Sequence, residues 1–274
     1  MAELQDQKDD LENNLVEYPY DRLTTRDGQL YMMCGLFQSK YTHELLESKI
    51  QTGPRLSLTY RLTSSRMGKV QSHSVPVDVS YLVLENDFCS KSCSYSEVYN
   101  ELKDYLQPDV TSMFGKTYTN NGRMSGEFML QTIWPNPIEF VYQYGNTKHY
   151  GNPMSPALVK LSHLLAERQH INFDWCHVTW YPNEMCKISA HADDEPEIKP
   201  NSDIACISFM ENPKDTRDLR FRIKNQLRCR AHGNEKAPKP KRRKRNTETD
   251  LHLLIRIHPK PKEIDEDDVS KYFV

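Results

Sequence analysis

A mainly β chain of the α+β kind, with a sandwich or barrel core and helices packed outside it, is the architecture that the residue patterning supports. Short apolar bursts punctuated by glycine and proline dominate the sequence, and two segments carry helical apolar spacing. No apolar run approaches the roughly 18 residues of a membrane span. With 274 residues and 37% hydrophobic content, one large domain with a sizeable core is expected.

In chain order, residues 1–20 read as an acidic flexible start, disordered or loosely helical, without the composition of a secretory signal. Leu30 to Cys34 and Leu56 to Leu62 read as strands, with Gly28, Gly35 and Gly53-Pro54 as turns. Residues 63–75 are small and polar and suit a linker. Val77 to Leu84 reads as a strand. Tyr95 to Leu106 reads as a helix, apolar at Val98, Leu102, Tyr105 and Leu106 and capped by Ser94 or Ser96. Residues 156–170 form a second helix whose Leu158, Leu161, Leu164 and Leu165 share a core-facing side. Strands follow at Trp175 to Tyr181, Met185 to Ala190, Ile204 to Phe209 and Leu219 to Ile223, and a late apolar burst at Leu251 to Ile257 adds one more. Residues 225–274 otherwise read as a basic loop and tail.

Charge is uneven although the net value is only −2. The run Lys239-Pro240-Lys241-Arg242-Arg243-Lys244-Arg245 is the densest positive field, and Pro238 and Pro240 argue against a helix there. It is either a solvated loop or a segment for phosphate contact or nuclear import, because clustered cations bind polyanions by releasing counterions. Seven cysteines, an odd count without paired spacing, suit reduced thiols and an intracellular, nuclear or cytoplasmic setting. Cys89 and Cys93 lack a second pair at zinc spacing, which leaves zinc there the weaker reading.

Alternate side chains of a strand share a face, so His191 and Asp193 point one way, and Arg55, Ser57, Thr59 and Arg61 do likewise, with Leu56, Leu58 and Tyr60 opposite. A His-x-Asp pair with a distant histidine can ligate non-haem ferrous iron and leave positions open. Taken singly, His-x-Asp is more often a surface dipeptide, His43 an ordinary surface or capping histidine, and Arg55 and Arg61 solvated edge charges.

The neighbourhood is more specific. Tyr181-Pro182 leads to His191-Ala192-Asp193-Asp194-Glu195-Pro196, then to Ile204-Ala205-Cys206-Ile207-Ser208-Phe209 and Thr216-Arg217-Asp218. This resembles the AlkB family of nucleic-acid dealkylating dioxygenases. That family continues with a glycine-led strand, a Gln, a histidine and an Arg-x-Ser-Leu-Thr-x-Arg strand, and these stand here at Gly28, Gln38, His43 and Arg55 to Arg61 instead. The resemblance therefore implies circularly permuted motif order, with 21–62 as the C-terminal half of the dioxygenase core, 63–75 as the join and 76–224 as the N-terminal half with its lid. Exposed loops of compact domains tolerate such cuts. Two incomplete copies that pair between molecules, or not at all, are the other way to read the order.

The resemblance implies a double-stranded β-helix (jelly-roll) core with flanking helices, Fe(II) held by His191, Asp193 and His43, and 2-oxoglutarate and O2 as cosubstrates. Arg55 and Arg61 would clamp the carboxylates of 2-oxoglutarate, and Tyr181 would hydrogen-bond it. Thr179 stands where the family usually has an asparagine that touches the same molecule. His252 and His258 are rival third ligands, but neither precedes paired arginines. Asp194 and Glu195 resemble base-facing acids or are simply solvated. Phe140 to Asn146 resembles an aromatic lid, in which Tyr142 and Tyr144 would stack on a base or serve as core, and Arg123 is a possible lid arginine. The activity implied is oxidative dealkylation of N-alkylated bases in DNA or RNA, on a single strand or a flipped base. A non-catalytic nucleic-acid-binding relic, and a protein or small-molecule hydroxylase using the same iron, are the alternatives.

Overall fold

The computed structural model describes residues 15–18, 22–64, 80–89, 92–108, 112–113, 116–117, 122–144, 147–224 and 253–257. In chain order its strands are β1 (Leu15–Tyr18), β2 (Arg22–Thr25), β3 (Gln29–Gly35), β4 (Tyr41–Leu45), β5 (Arg55–Arg61), β6 (Ser80–Glu85), β7 (Gln107–Pro108), β8 (Ser112–Met113) and β9 (Lys116–Thr117). They continue with β10 (Met124–Met129), β11 (Val141–Tyr144), β12 (Thr147–Pro153), β13 (Trp175–Tyr181), β14 (Ile188–His191), β15 (Ile204–Met210), β16 (Arg217–Ile223) and β17 (Leu253–Ile257). The helices are α1 (Phe37–Lys40), α2 (Tyr95–Leu102) and α3 (Pro156–Gln169).

The fold is mainly β. Among the described residues an eleven-stranded sheet runs β1-β17-β6-β3-β15-β5-β13-β10-β12-β11, with β7 beside β10, and a four-stranded sheet runs β14-β4-β16-β2. The early strands are interleaved with late ones. β5 pairs antiparallel with β13 on one side and β15 on the other, while β3 lies between β15 and β6. The segments 21–62 and 76–224 thus build one sheet within a single chain.

Alternation decides which layer each residue enters. Leu56, Leu58 and Tyr60 of β5 join Val178, Ile207 and Phe128 in a core capped by Val98 and Leu102 of α2 and Leu158, Leu161 and Leu165 of α3. Helices α2 and α3 therefore cover one face of the large sheet, as expected. On its other face Tyr31, Met33, Ile204 and Cys206 meet Leu23, Leu45, Leu219 and Phe221 of the small sheet. Burying these apolar faces against one another supplies the main driving force for the layered arrangement.

β3 begins and ends at glycines with φ +65°, Gly28 and Gly35, a conformation that a β-carbon disfavours. Gly28 N–H donates to the Ser208 carbonyl at 2.8 Å, which locks the turn onto β15. Ser94 and Glu97 form a capping box at the start of α2. The helix stops at Leu102 rather than at Leu106: residues 103–105 form a turn in which Tyr105 and Leu106 N–H both donate to the Leu102 carbonyl, and Gln107 and Pro108 are extended. α3 starts on the Ser155 cap with Pro156 in its first turn and ends at His170 in the left-handed region.

Several expectations shift. Strand β14 spans Ile188–His191 rather than 185–190, because the Asn183 side chain accepts from Met185 N–H and holds that stretch in a turn. Leu15–Tyr18, read as part of a flexible start, is a strand paired with β17, which in turn runs parallel to β6. Strands β2, β4, β10, β11 and β12 had no distinct signal in the sequence. Of the linker read at 63–75, Thr63 N–H donates to Asp174 and the Ser64 hydroxyl to the Pro196 carbonyl, while residues 65–75 and the basic run 239–245 lie outside the described residues.

Candidate metal centre

Two strands of the small sheet bring the histidines together. β4 and β14 are antiparallel with His43 opposite His191, and the imidazole centroids stand 4.3 Å apart. On β4, His43 and Leu45 are buried. Asp193 follows the end of β14 and is 3% exposed. His43 Nε2 lies 3.7 Å from Asp193 Oδ2, and His191 Nε2 lies 3.9 Å from Asp193 Oδ1. One donor atom from each of the three residues falls within 4.8 Å of the others.

The protonation states suit a cation. His191 Nδ1 sits 2.9 Å from the Ser189 carbonyl, which makes it the N–H and leaves the Nε2 lone pair for a metal. Burial, with His191 and Arg61 acting the same way and Asp193 opposing, pushes the His43 imidazole down to about 3, so its ring is neutral. Burial works against ionisation of Asp193, yet the Arg61 guanidinium and the neighbouring imidazoles hold its carboxyl well below the usual range. Asp193 Oδ2 and His43 Nδ1 are buried without hydrogen-bond partners. Two imidazoles and a carboxylate with a free oxygen are a fitting donor set for a divalent ion. Gln38 of α1 steadies the third donor by accepting from Asp193 N–H at 3.0 Å.

The strand β5 lines the same cleft with Arg55, Ser57, Thr59 and Arg61, the face foreseen from alternation. Arg61 donates to Asp193 Oδ1 and lies over Trp175, 4.8 Å from its centroid, while its Nε and Nη1 stay unpartnered. Arg55 is 1% exposed, donates to Ser208 Oγ at 2.9 Å and packs 5.3 Å from the Tyr181 ring centre. Among the described residues no carboxylate pairs with it. A buried guanidinium without a counter-ion is costly on its own and suits an anionic ligand. Thr179 and Tyr181 line the cleft from β13.

The outer residues divide. Tyr142 lines the cleft, but its ring packs 5.0 Å from Trp175, and its hydroxyl donates to Glu195 Oε1 at 3.1 Å. Burial raises the Glu195 carboxyl above its ordinary value. Asp194 instead faces solvent and pairs with Lys224 at 2.7 Å. Tyr144 ends β11 opposite Thr147. Arg123 lines the cleft and donates to the Lys187 carbonyl at 2.9 Å. His252 and His258 lie outside the described residues. Cys89 and Cys93 are thiols outside the metal-ligating group.

Sequence reasoning missed two features. Glu127, fully buried on β10, contacts His177 Nδ1 at 2.7 Å. Extending the alternation back from Tyr181 through Thr179 would have reached His177; nothing pointed to Glu127, because β10 carried no clear pattern. Arg217 donates to the carbonyls of Asn183 at 3.2 Å, Leu46 at 2.8 Å and Cys186, and so ties the segment leading to His191 to the end of the His43 strand.

Comparison with protein-family models, with curated proteins and with solved structures returns no match. No helix among the described residues is long and apolar enough to cross a membrane.

Proposed function

We propose that this protein is an Fe(II)- and 2-oxoglutarate-dependent dioxygenase that removes N-alkyl groups from bases in DNA or RNA, on a permuted double-stranded β-helix. The observation that carries the reading is the buried Arg55, which no carboxylate among the described residues pairs, on the same strand face as Arg61, beside the group His43, His191 and Asp193. A site for one cation next to a buried excess of guanidinium charge matches a metal with a dicarboxylate ligand. Two facing sheets with the cleft between them support the β-helix reading.

Bound iron, with the 2-oxo acid and dioxygen, would supply the oxidising power that hydroxylates an N-alkyl carbon, after which the hemiaminal releases an aldehyde and the restored base. The chain's own residues hold geometry. His43, held neutral, and His191 would offer ring nitrogens, and Asp193 a carboxylate oxygen kept ionised by Arg61. Arg55 and the spare N–H groups of Arg61 would take the carboxylates, with Thr179 and Tyr181 beside them. Tyr142 and Glu195 form the wall that a base would meet, whereas the outward pairing of Asp194 favours its solvated reading.

The test is direct. Purified protein with Fe(II) and 2-oxoglutarate is expected to release succinate and formaldehyde in equal amounts from an N-methylated oligonucleotide, and His191→Ala is expected to abolish both. Succinate without formaldehyde, raised by a protein or small-molecule substrate, would move the assignment to a hydroxylase. Oligonucleotide binding without either product would leave a binding relic.

A further inference from the structure

Glu127 lies opposite His177 in the antiparallel register of β10 and β13, and both of its oxygens are used. Oε2 accepts from the Trp175 indole at 2.7 Å, and Oε1 meets His177 Nδ1 at 2.7 Å. The other ring nitrogen, His177 Nε2, stands 3.0 Å from Thr179 Oγ1, the next residue along the same face. His177 and Thr179 both line the cleft with Arg61 and Tyr181. A fully buried carboxylate is expensive, and replacing it by an apolar residue is often neutral or stabilising. Here its contacts hold one imidazole in one orientation, the arrangement by which a carboxylate sets the role of a histidine.

An ionised carboxylate only accepts, so His177 Nδ1 donates to Glu127 whether the ring is neutral or cationic. In the neutral ring Nε2 is an acceptor. It then takes the Thr179 hydroxyl hydrogen, and the oxygen lone pairs are what Thr179 presents to the cleft. In the cationic ring Nε2–H donates to Thr179 Oγ1, and the hydroxyl hydrogen is released towards the cleft. Only the second arrangement offers a donor to an anion.

Resting on the reading that the cleft takes 2-oxoglutarate, we propose that Glu127 and His177 are positioning residues for that dicarboxylate: the Glu127 carboxylate holds the His177 ring in one orientation, and the ring in turn orients the Thr179 hydroxyl towards the ligand. The other groups around His177 do not replace Glu127 in this. Tyr142 from β11 has its ring centre 6.1 Å away and its phenol stays protonated, and His149 from β12 is held towards the neutral form by burial. Arg61 from β5 and Asp193 beyond β14 are paired with each other. Among the described residues, Glu127 is the acidic group in direct contact with the ring.

Calorimetric titration of 2-oxoglutarate into the Mn(II)-loaded full chain measures the affinity. Glu127→Gln, His177→Gln and Thr179→Val are each expected to weaken binding about tenfold, and Glu127→Gln is expected to cost nothing further in the Thr179→Val background, because it acts through that hydroxyl. Mn(II) affinity read by electron paramagnetic resonance is expected to stay unchanged. Unaltered 2-oxoglutarate affinity in Glu127→Gln or His177→Gln, or additive losses in the double variant, overturns the inference and leaves the cosubstrate reading standing. No binding of 2-oxoglutarate to the unaltered, metal-loaded protein sinks that reading, and this one with it.

Discussion

The His43 Nε2 atom stands 3.7 Å from Asp193 Oδ2, and both side chains are buried, although they come from opposite halves of the chain. Neither satisfies the other fully, since Asp193 Oδ2 makes no hydrogen bond. A shared cation would complete the pair. Replacing His43 by alanine is therefore expected to lower Co(II) affinity by about 100-fold or more, beyond the effect of losing an outer-sphere partner. Titration of the visible Co(II) absorption measures it; an unchanged affinity would show that the group does not act as a unit.

The metal-free protein should lose stability in acid through the same residues. His43 is held neutral in the fold, from 6.5 down to about 3, so between those values the unfolded chain binds a proton that the native state refuses. Stability then rises with pH across that window. Asp193, whose folded carboxyl lies below its ordinary range, acts in the same direction: its contribution is present above the ordinary carboxylate value and disappears as pH falls further. Urea unfolding of the metal-free protein from pH 7 to 4 is expected to show this slope, and His43→Gln to flatten it.

Arg55 is expected to separate stability from ligand binding. Its guanidinium is buried with no carboxylate partner among the described residues, so Arg55→Met should leave thermal stability within about 1 kcal/mol of the parent, or raise it. Binding of 2-oxoglutarate should weaken by about 2 to 5 kcal/mol, the cost of removing one partner of a buried charge pair. Equal loss in both measurements would make Arg55 a structural residue.

Arg217 is expected to behave in the opposite way. Its bonds to the carbonyls of Leu46, Asn183 and Cys186 are charge-assisted and part of a buried crosslink. Arg217→Ala should destabilise the fold by about 3 kcal/mol or more in urea unfolding, and weaken Co(II) binding because the two histidine-bearing segments are no longer tied.

Gly151 on β12 leaves no room for a side chain. A β-carbon there would stand 2.4 Å from the Pro137 carbonyl and 2.8 Å from Met129 Cγ. Gly151→Ala is expected to cost about 1 to 3 kcal/mol and to shift the β11–β12 pair that carries Tyr142 and His149, which loss of cooperativity or of melting temperature would register.

Much of the site could be read from the chain before folding. The stretch Arg55 to Arg61 alternates cation or hydroxyl with Leu and Tyr, and the structure sends the first set into the cleft and the second under the helices. His191 and Asp193 were legible by the same spacing. The strand of His43, Tyr-Thr-His-Glu-Leu, was not, since its central residues are polar and its extended form depends on pairing with β14 and β16. Glu127 was invisible for a similar reason: a glutamate in a weakly patterned segment reads as surface until a histidine and an indole from a neighbouring strand enclose it.

Residue order alone settled which side chains share a face, because the two-residue repeat of extended backbone is a local steric property. Which faces confront each other was left to the assembled sheets. Strand pairing joins segments distant in the chain through backbone hydrogen bonds that carry no side-chain label, so only the packed layers could set His43 beside His191, bury Arg55 in the cleft and enclose Glu127 against His177.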